Sequence, residues 1–395
     1  MGLVAATAEE KSTVWSAIRR APRRAPVSFR HPQLNLRDHS GNPAGMNPVA
    51  SAEGPAARPA GPEAPPQIAL LQLITAGFAA QAAHVAARLG LADRIAAGVR
   101  DTSALAKALG ADPATFRRFL ATLASLGVLR QSGEDHWELT AMGECLRGDA
   151  PGSWRDFARW FGCDAHYAAF GALEDSIRTG RSGFAKIFGE SSWSYMARDR
   201  ETGLCFDRAM SSVAASAHPL ILCQYDFAGI ETLVDIGGGQ GELLSAVLAR
   251  YPAMRGIVFD LPHVVEAART RIAAHGLAGR LEAVGGDFFA AVPPADAYIM
   301  TNVLHDWNDA DSIAILRNCR AAMRPGGRVL ISDFVLRPVN EPDIGRLFDL
   351  EMLVLTDGGK ERSEAEFAAI LAASDLRLTR VVPLGGVCLI EARPA

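Results

Sequence analysis

A histidine and two acidic residues lie near the predicted ends of β-strands, where they could act together on a proton. Residues 297–307 have the pattern of a buried strand that runs into a polar tip, and His305 lies in this tip. Asp333 ends the next predicted strand, and Glu361 lies in a polar loop before a helix. A neutral imidazole accepts a proton from an acidic hydroxyl near neutral pH, and either carboxylate could hold its tautomer. These residues predict general-base catalysis by His305.

The acids that follow His305 also allow a metal site. Asp306, Asp309 and Asp311 place oxygen ligands close to the imidazole. Capping of the next helix by Asn308 or Asp309, with acids in its first turn, explains the same residues without a metal. We therefore expect no metal ion.

A glycine-rich turn earlier in the chain could hold a ligand against its backbone. Residues 232–236 are a short apolar run typical of a buried parallel strand, and residues 243–250 repeat apolar positions at helical spacing. Gly237, Gly239 and Gly241 between them lack Cβ atoms, so a ligand can approach closely. The helix N-terminus adds free N–H groups and the positive end of a dipole.

The spacing of these glycines distinguishes between cofactor classes. A dinucleotide fingerprint requires G-x-G-x-x-G, but the sixth position from Gly237 is Glu242. The turn also lacks the Gly-Lys-Ser/Thr of a phosphate-binding loop. Residues 235–241 read D-x-G-x-G-x-G, which resembles the first motif of Rossmann-like S-adenosylmethionine methyltransferases. An ordinary strand-to-helix turn is the alternative.

Two further predicted strands end in acidic residues. Asp260 lies about 20 residues beyond the turn and could accept both ribose hydroxyls of an adenosine ligand. Asp287 follows the next strand, beside the aromatic pair Phe288 and Phe289. Ligands of open α/β sheets bind at the carboxyl ends of the strands, so these ends together predict one ligand site.

Five motifs occur in order and together are similar to one family. They are F-D-L-P-H at 259–263, G-D-F-F at 286–289, H-D-W at 305–307, R-P-G-G at 324–327 and G-G-K-E-R-S-E-x-E-F at 358–367. They resemble the plant caffeate/chalcone-type O-methyltransferases and their bacterial relatives in antibiotic and pigment biosynthesis. The resemblance spans about residues 70–395.

The resemblance implies a role for each site residue. It implies that His305 is the general base, flanked by Asp333 and Glu361, which argues against relatives that have lost the base and hydroxylate or decarboxylate. The implied cofactor is S-adenosylmethionine, which leaves as S-adenosyl-L-homocysteine. Its implied contacts are Gly237, Asp260, Asp287 and Phe288, and we also predict that Gly239, Gly241, Leu261 and Asn302 contact it. Thr301 stands where plant members often have lysine.

Local patterns and the resemblance divide the chain into four segments. Residues 1–66 are rich in Arg and then in Pro, Ala and Gly, which predicts a disordered extension, with a transit peptide as the alternative. Residues 67–150 follow a helix, turn, helix, hairpin pattern, and the resemblance implies a winged-helix dimerisation domain. Residues 151–225 are predicted to be a helical linker that lines the substrate pocket. Residues 226–395 are expected to form a Rossmann-like, mostly parallel α/β domain with seven strands.

The first domain also predicts the partners of the chain. Its candidate recognition helix carries only Arg117 and Arg118, too few basic groups for DNA, so no nucleic acid is expected. Residues 68–91 are apolar but are interrupted by Gln72 and Arg88, which favours a buried or dimer-forming helix over a membrane span. We therefore expect a homodimer through residues 67–150 and no membrane association.

The acceptor is expected to be a small hydroxylated metabolite. Residues 152–216 are rich in aromatics, and Phe161, Phe206 and Met210 are predicted to line a flat apolar pocket. Such a pocket fits an aromatic, polyketide or isoprenoid compound. Within this segment, residues 175–180 are predicted to form a turn between helices.

The composition is that of a globular protein in a reducing compartment. The formal net charge is −4, with 49% hydrophobic and 21% charged residues. Six scattered cysteines form no CxxC pair, so a cytoplasmic location is expected. The predicted function is S-adenosylmethionine-dependent O-methylation. Alternatives are C- or N-methylation, hydroxylation or decarboxylation on the same fold, a winged-helix regulator and, most distantly, an NAD-linked dehydrogenase.

Overall fold

The computed structural model describes residues 65–395, except residues 275 and 278 and the side chain of residue 274. Residues 1–64 of the predicted extension therefore lie outside the described residues. The described chain begins with four helices and a hairpin. They are α1 (Pro66–Arg88), α2 (Leu91–Ala96), α3 (Thr102–Leu109), α4 (Pro113–Ser125), β1 (Leu129–Gly133) and β2 (His136–Leu139).

Side-chain caps set the starts of α3 and α4. Asp101 caps α3 by accepting two backbone N–H bonds at 2.9 and 3.0 Å. Asp112 caps α4 in the same way, and Pro113 occupies its first turn. The hairpin packs on these helices, and buried Trp137 of β2 donates a hydrogen bond to Thr102 Oγ1 at 2.8 Å. The order helix, turn, helix, hairpin is as predicted.

Helix α1 leaves most of its apolar side chains exposed. Leu73, Ile74 and Phe78 are 73%, 66% and 76% exposed. Within the described residues, α1 is the one helix whose length and composition would allow it to cross a membrane. The sequence favoured either a buried helix or a dimer-forming helix. Because α1 is not buried in the single chain, the dimer-forming helix is the prediction that remains.

Seven helices connect the hairpin to the sheet. They are α5 (Ala141–Glu144), α6 (Arg155–Phe161), α7 (Asp164–Phe170), α8 (Leu173–Thr179), α9 (Gly183–Phe188), α10 (Ser192–Arg198) and α11 (Arg200–Gln224). The predicted turn at residues 175–180 is wrong, because α8 runs through it to Thr179 and is followed by Gly180, which has a φ of 69°. Asp, Ser, Thr and Gly dominate this stretch and made it resemble a turn, but an ion pair between Glu174 and Arg178 stabilises the helix.

The described residues of the second half of the chain contain nine strands, seven of which form one sheet. The strands are β3 (Thr232–Ile236), β4 (Arg255–Asp260), β5 (Leu281–Gly285), β6 (Ala295–Thr301), β7 (Met323–Asp333), β8 (Val335–Leu336), β9 (Arg362–Ser363), β10 (Leu376–Pro383) and β11 (Cys388–Pro394). The order in the large sheet is β10-β11-β7-β6-β3-β4-β5. Strands β3 to β7 run parallel, and β11 lies antiparallel between β7 and β10.

Helices cover both faces of this sheet. They are α12 (Glu242–Arg250), α13 (Pro262–Ala274), α14 (Asp309–Ala322) and α16 (Glu364–Ala372), with a 3₁₀ turn at Leu304–Asp306. Helix α15 (Gly345–Leu355) packs instead against α7 and α9. Successive residues of β3 point to opposite faces, since Leu233 packs in one buried cluster and Val234 in the other. The predicted α/β fold with seven mostly parallel strands is confirmed, including the final hairpin of β10 and β11.

Candidate active site

The carboxyl ends of the parallel strands meet at one edge of the sheet. Gly237 follows β3, Asp260 ends β4, Asn302 follows β6 and Asp333 ends β7. Strand β3 pairs with β4 and β6, and β6 pairs with β7, so these residues share one edge. This edge is where open α/β sheets bind their ligands.

His305 lies in the 3₁₀ turn after β6 and makes a short hydrogen bond. Its Nδ1 lies 2.8 Å from Glu361 Oε1, and the two side chains are 14% and 0% exposed. Because an ionised carboxylate only accepts, Nδ1 carries the proton of this bond, and Nε2 of the neutral ring keeps its lone pair. Asp306 Oδ1 lies 3.7 Å from Nε2.

The charges around His305 favour its protonated form. Burial of the ring opposes the positive charge, but Glu361 and Asp306 outweigh burial and hold the pKa of His305 well above its ordinary value. Burial also raises the pKa of Asp306 to about 6, against the effect of the His305 charge. The imidazolium is thus stable near neutral pH, and the base form increases as the pH rises.

Asp333 influences His305 through its charge. It is buried, and neither of its carboxyl oxygens has a hydrogen-bond partner among the described residues. Burial raises the pKa of Asp333 to about 7, while the charge of His305 acts in the opposite direction. Of the two acids predicted to flank the imidazole, Glu361 is therefore the one that bonds it.

The loop that carries Glu361 contacts the His305 turn through residues that the sequence analysis missed. Asp349 Oδ1 on α15 accepts a hydrogen bond from Glu361 N at 3.0 Å. Lys360 N donates to His305 O at 2.8 Å, and Arg362 donates to two carbonyls of the same turn. Lys360 and Arg362 flank Glu361 within the motif at 358–367, so the sequence could have indicated them as site residues. Asp349 had no such signal.

The turn after β3 has a backbone that favours glycine. Gly237, Gly239 and Gly241 have φ values of 69°, 55° and 78°. A Cβ on Gly241 would lie 2.9 Å from Val258 Cγ2, so the turn packs tightly against β4. A Cβ on Gly239 would meet nothing within 4 Å. Open space therefore lies beside Gly239, next to the N-terminus of α12.

Asp260 lies directly beside this turn. Its Oδ2 accepts a hydrogen bond from Gly239 N at 2.9 Å, and its Oδ1 accepts one from Leu261 N at 2.7 Å. Burial raises the pKa of Asp260, and the two N–H donors act in the opposite direction. Each carboxylate oxygen keeps a further lone pair, which suits ribose hydroxyls, and the Leu261 side chain is exposed beside them.

The remaining predicted cofactor residues follow β5 and β6. Asp287 is exposed after β5, and the Phe288 ring packs edge-on against Trp307 with a centroid distance of 5.8 Å. This contact joins the segment after β5 to the His305 turn. Asn302 has a φ of 53° and donates its backbone N–H to Ser332 O at 3.0 Å. The turn, the acids and the aromatic ring together fit an adenosine cofactor.

The three predicted acceptor residues pack in one aromatic cluster. Phe161, Phe206 and Met210 are partly buried against α6, α7 and α15. The ring centroids of Phe161 and Phe348 are 6.0 Å apart, and Phe348 stacks on Phe334 at 4.8 Å. Phe334 directly follows β7, so the cluster extends from the helices to the strand edge.

The acids that follow His305 make protein contacts. Asn308 caps α14 by accepting a hydrogen bond from Asp311 N at 2.9 Å, as predicted. Asp309 pairs with Arg362 at 2.9 Å and with Lys360 at 3.1 Å. Within the part of the chain that the structure describes, no group of three His, Cys, Asp or Glu side chains is placed to hold a metal ion.

Comparisons with known proteins identify the family. The profile of the O-methyltransferase domain matches residues 170–376, and that of the O-methyltransferase dimerisation domain matches residues 71–149. A phenazine O-methyltransferase from Lysobacter antibioticus is 41% identical over 327 residues, which cover 82% of this chain and 95% of that protein. The chain belongs to the O-methyltransferase family.

Two further relatives support the cofactor and reaction type of this O-methyltransferase. The mitomycin biosynthesis 6-O-methyltransferase of Streptomyces lavendulae is 40% identical over 328 residues, covering 82% of this chain and 93% of that one. An O-methyltransferase of neocarzinostatin biosynthesis, solved with S-adenosylmethionine and 2-hydroxy-5-methyl naphthoic acid, matches with a TM-score of 0.68 and 35% identity over 80% of this chain and 96% of that chain. The protein is an S-adenosylmethionine-dependent O-methyltransferase with a dimerisation domain, as predicted.

Proposed function

We propose that this O-methyltransferase methylates a hydroxyl of a small aromatic or polyketide metabolite and uses His305 as general base. The observation that carries the proposal is the 2.8 Å hydrogen bond between His305 Nδ1 and Glu361. This bond orients the ring and leaves Nε2 to take the proton of the acceptor hydroxyl. A phenolic hydroxyl suits this role because its proton is acidic enough for an imidazole.

The residues of the strand edge have separate proposed tasks. S-adenosylmethionine supplies an electrophilic methyl group on a sulfonium. The proposed cofactor contacts are Gly237, Gly239, Gly241, Asp260, Leu261, Asp287, Phe288 and Asn302. His305 removes the hydroxyl proton as the oxygen attacks, and Glu361, helped by the charge of Asp333, stabilises the imidazolium that forms. Base catalysis of this kind contributes about 10²–10⁴-fold.

The aromatic cluster supports a flat acceptor. Phe161, Phe206 and Met210 offer apolar surface that continues through Phe348 to the end of β7. One relative named above is a phenazine O-methyltransferase, and one solved structure holds 2-hydroxy-5-methyl naphthoic acid. Phenazine and naphthoic acid both have fused aromatic rings, which is the acceptor class that we assign to this chain.

The surface of the first domain supports a homodimer without nucleic acid. We assign the dimer contact to residues 67–150, the acceptor-lining segment to residues 151–225 and the catalytic domain to residues 226–395. Exposed apolar side chains of α1 supply a face for a second copy. Arg117 of the candidate recognition helix forms an ion pair with Asp135, so its charge is less available to bind a DNA phosphate. The free cysteines support a cytoplasmic location. We assign no membrane partner, because the apolar face of α1 is assigned to the dimer contact.

The test uses S-adenosylmethionine with a labelled methyl group and a panel of phenols, hydroxyphenazines, hydroxynaphthoates and aromatic amines. Wild type should place the label in a base-stable ether. His305→Gln should bind the cofactor normally but lose about 10²-fold or more in turnover. His136→Gln, at an exposed position of β2, is the matched control and should keep full turnover.

The outcomes separate the parts of the proposal. If His305→Gln turned over as fast as wild type, His305 would not be the general base. Label that enters amines in preference to hydroxyls would replace the acceptor class with a nitrogen nucleophile.

A further inference from the structure

A buried arginine joins the two segments that carry the proposed base and its partner. Arg362 directly follows Glu361 in β9 and is 0% exposed. Its guanidinium makes five hydrogen bonds. The acceptors are Asp309 Oδ1, Leu304 O, Lys360 O, Trp307 O and Ser312 Oγ.

Two of these bonds hold the turn on either side of His305. Arg362 Nη1 donates to Leu304 O at 3.0 Å, and Nη2 donates to Trp307 O at 2.8 Å. The planar guanidinium presents several N–H groups in fixed directions, so it can hold both carbonyls at once. These carbonyls belong to the residue before His305 and the second residue after it. The guanidinium therefore fixes the backbone from which the imidazole projects.

The neighbouring loop residues contact the same turn. Lys360 N donates to His305 O at 2.8 Å, and Glu361 bonds the ring at Nδ1. A Cβ on Gly359 would lie 2.6 Å from His305 O and 2.8 Å from Asp306 O, so the loop packs directly on the turn. Residues 359–362 thus hold both the backbone and the ring of His305.

The charge of Arg362 makes a simple packing role a poor explanation. Burial of a guanidinium is unfavourable unless its N–H groups are paired, and an apolar side chain fills space without this penalty. The carboxylate that Arg362 bonds belongs to Asp309, which is 50% exposed, and the other four acceptors are neutral. Hydrogen bonds from Arg362 to this one turn fix the position of the turn, which apolar packing alone does not do.

We propose that Arg362 is a positioning residue that sets the place of His305 relative to Glu361 and the acceptor hydroxyl. Arg362 acts through the backbone of residues 304–307 and does not touch the reacting atoms. The proposal rests on the proposed role of His305 as the base.

The first test is a double-mutant cycle with Arg362→Lys. This change keeps the positive charge but loses the planar guanidinium that bonds both carbonyls. In the full chain, turnover should fall about tenfold or more, because small displacements of a catalytic group lower rates steeply. The dissociation constant for S-adenosylmethionine should stay within about twofold, since the guanidinium bonds none of the proposed cofactor contacts. In the His305→Gln background the same change should alter residual turnover by less than about twofold.

The cycle distinguishes positioning from general stability. An arginine that only stabilised the fold would lower turnover by the same factor in both backgrounds, and that result would overturn the proposal. Full turnover in His305→Gln would instead overturn the proposed base, whatever Arg362→Lys does. Arg280→Lys is the matched control, because Arg280 Nη1 donates to backbone carbonyls of Leu248 and Pro252 at 3.2 and 3.1 Å, far from the strand edge. It should keep full turnover.

The pH profile supplies a second measurement. If Arg362→Lys loosens the contact between His305 and Glu361, the pKa of His305 falls, and the rising limb of kcat/KM moves to lower pH. A reduced kcat with an unmoved limb would contradict the proposal. Should Arg362→Lys not fold, Asp309→Ala removes one acceptor of the guanidinium at a half-exposed position. It should lower turnover in the wild-type background and leave His305→Gln unchanged; equal losses in both would overturn the proposal.

Discussion

His305 combines a buried ring with nearby carboxylates, and this combination predicts how turnover depends on pH. Burial opposes the positive charge, but Glu361 and Asp306 outweigh it and hold the pKa of His305 well above 6.5. The base form therefore becomes dominant only above that raised pKa, so kcat/KM should rise with pH through the neutral range. In Glu361→Gln the carboxylate charge is lost, the pKa falls, and the rising limb should move to lower pH.

The profile of kcat/KM is measured with wild type and Glu361→Gln under the same salt conditions. Maximal turnover of Glu361→Gln should also drop, because an amide stabilises the imidazolium less well than a carboxylate. His305→Gln is the control and should show no such limb. A limb of Glu361→Gln that stays in place or moves to higher pH would contradict the assigned partner.

Asp260 should control cofactor affinity more than turnover. Its carboxylate holds the glycine turn through Gly239 N and keeps lone pairs for ribose hydroxyls. Asp260→Ala should weaken S-adenosylmethionine binding about tenfold or more, or about 1.4 kcal/mol. Calorimetry measures this change, with Asp226→Ala as the control, because Asp226 also accepts a backbone N–H, from Ala228 at 2.9 Å, before β3 begins. An unchanged dissociation constant would exclude the ribose contact.

The sequence was sufficient to select residues that the structure brings together at the strand edge, but not to predict which of them bond one another. His305 and Glu361 were predicted because each lies in a contiguous motif at a strand end or in the following loop. Whether Asp333 or Glu361 bonds the ring depends on side-chain directions set by packing of the loop 358–362. Asp349 contacts Glu361 from a helix whose spacing shows only an ordinary amphipathic pattern. Such contacts depend on tertiary structure and leave no local signal.

The loop between α15 and β9 depends on one glycine for its close contact with the His305 turn. A Cβ on Gly359 would lie 2.4 Å from Thr356 Oγ1 and 2.6 Å from His305 O. Gly359→Ala should displace the loop, with a loss of about 1–3 kcal/mol in the free energy of unfolding. Turnover should fall about tenfold or more, since Glu361 moves with the loop.

Thermal unfolding and labelled-methyl assays measure these two effects. Gly386→Ala is the control, because a Cβ there meets nothing within 4 Å at the tip of the final hairpin. Full activity of Gly359→Ala would show that the loop tolerates displacement and that Glu361 is not held by it.

Elements were predictable where their local signals agree with their tertiary environment. Strands β3 and β4 are mostly apolar because both faces of the sheet are covered. Strand β3 matches the predicted residues 232–236, and β4 ends at Asp260 as predicted. Helix α8 was missed because its residues are polar and typical of turns. The ion pair between Glu174 and Arg178 stabilises the helix. The separate pairing of β8 with β9 was not expected, since two-residue strands carry no periodicity.

The exposed face of α1 predicts the oligomeric state of the whole molecule. Leu73, Ile74 and Phe78 are 66–76% exposed in the single chain, and burial in a partner would remove this apolar area from water. Wild type should sediment as a dimer at micromolar concentration. Phe78→Glu together with Leu73→Glu should give a folded monomer.

Equilibrium sedimentation measures the association, and circular dichroism checks folding. Ile177→Glu is the matched control, because Ile177 is equally exposed at 66% but lies on α8. A monomeric wild type, or a double variant that still dimerises, would place the contact elsewhere.

The position of β11 has a consequence for biosynthesis of the protein. This strand is made last of those in the sheet, yet it lies inside the sheet, between β7 and β10. Until it emerges, β7 presents an open edge to its surroundings for the seconds that translation and release require, at about 5–20 residues per second. A nascent or prematurely terminated chain therefore exposes a template for strand pairing. Early stop codons before residue 388 should yield material that aggregates or is degraded.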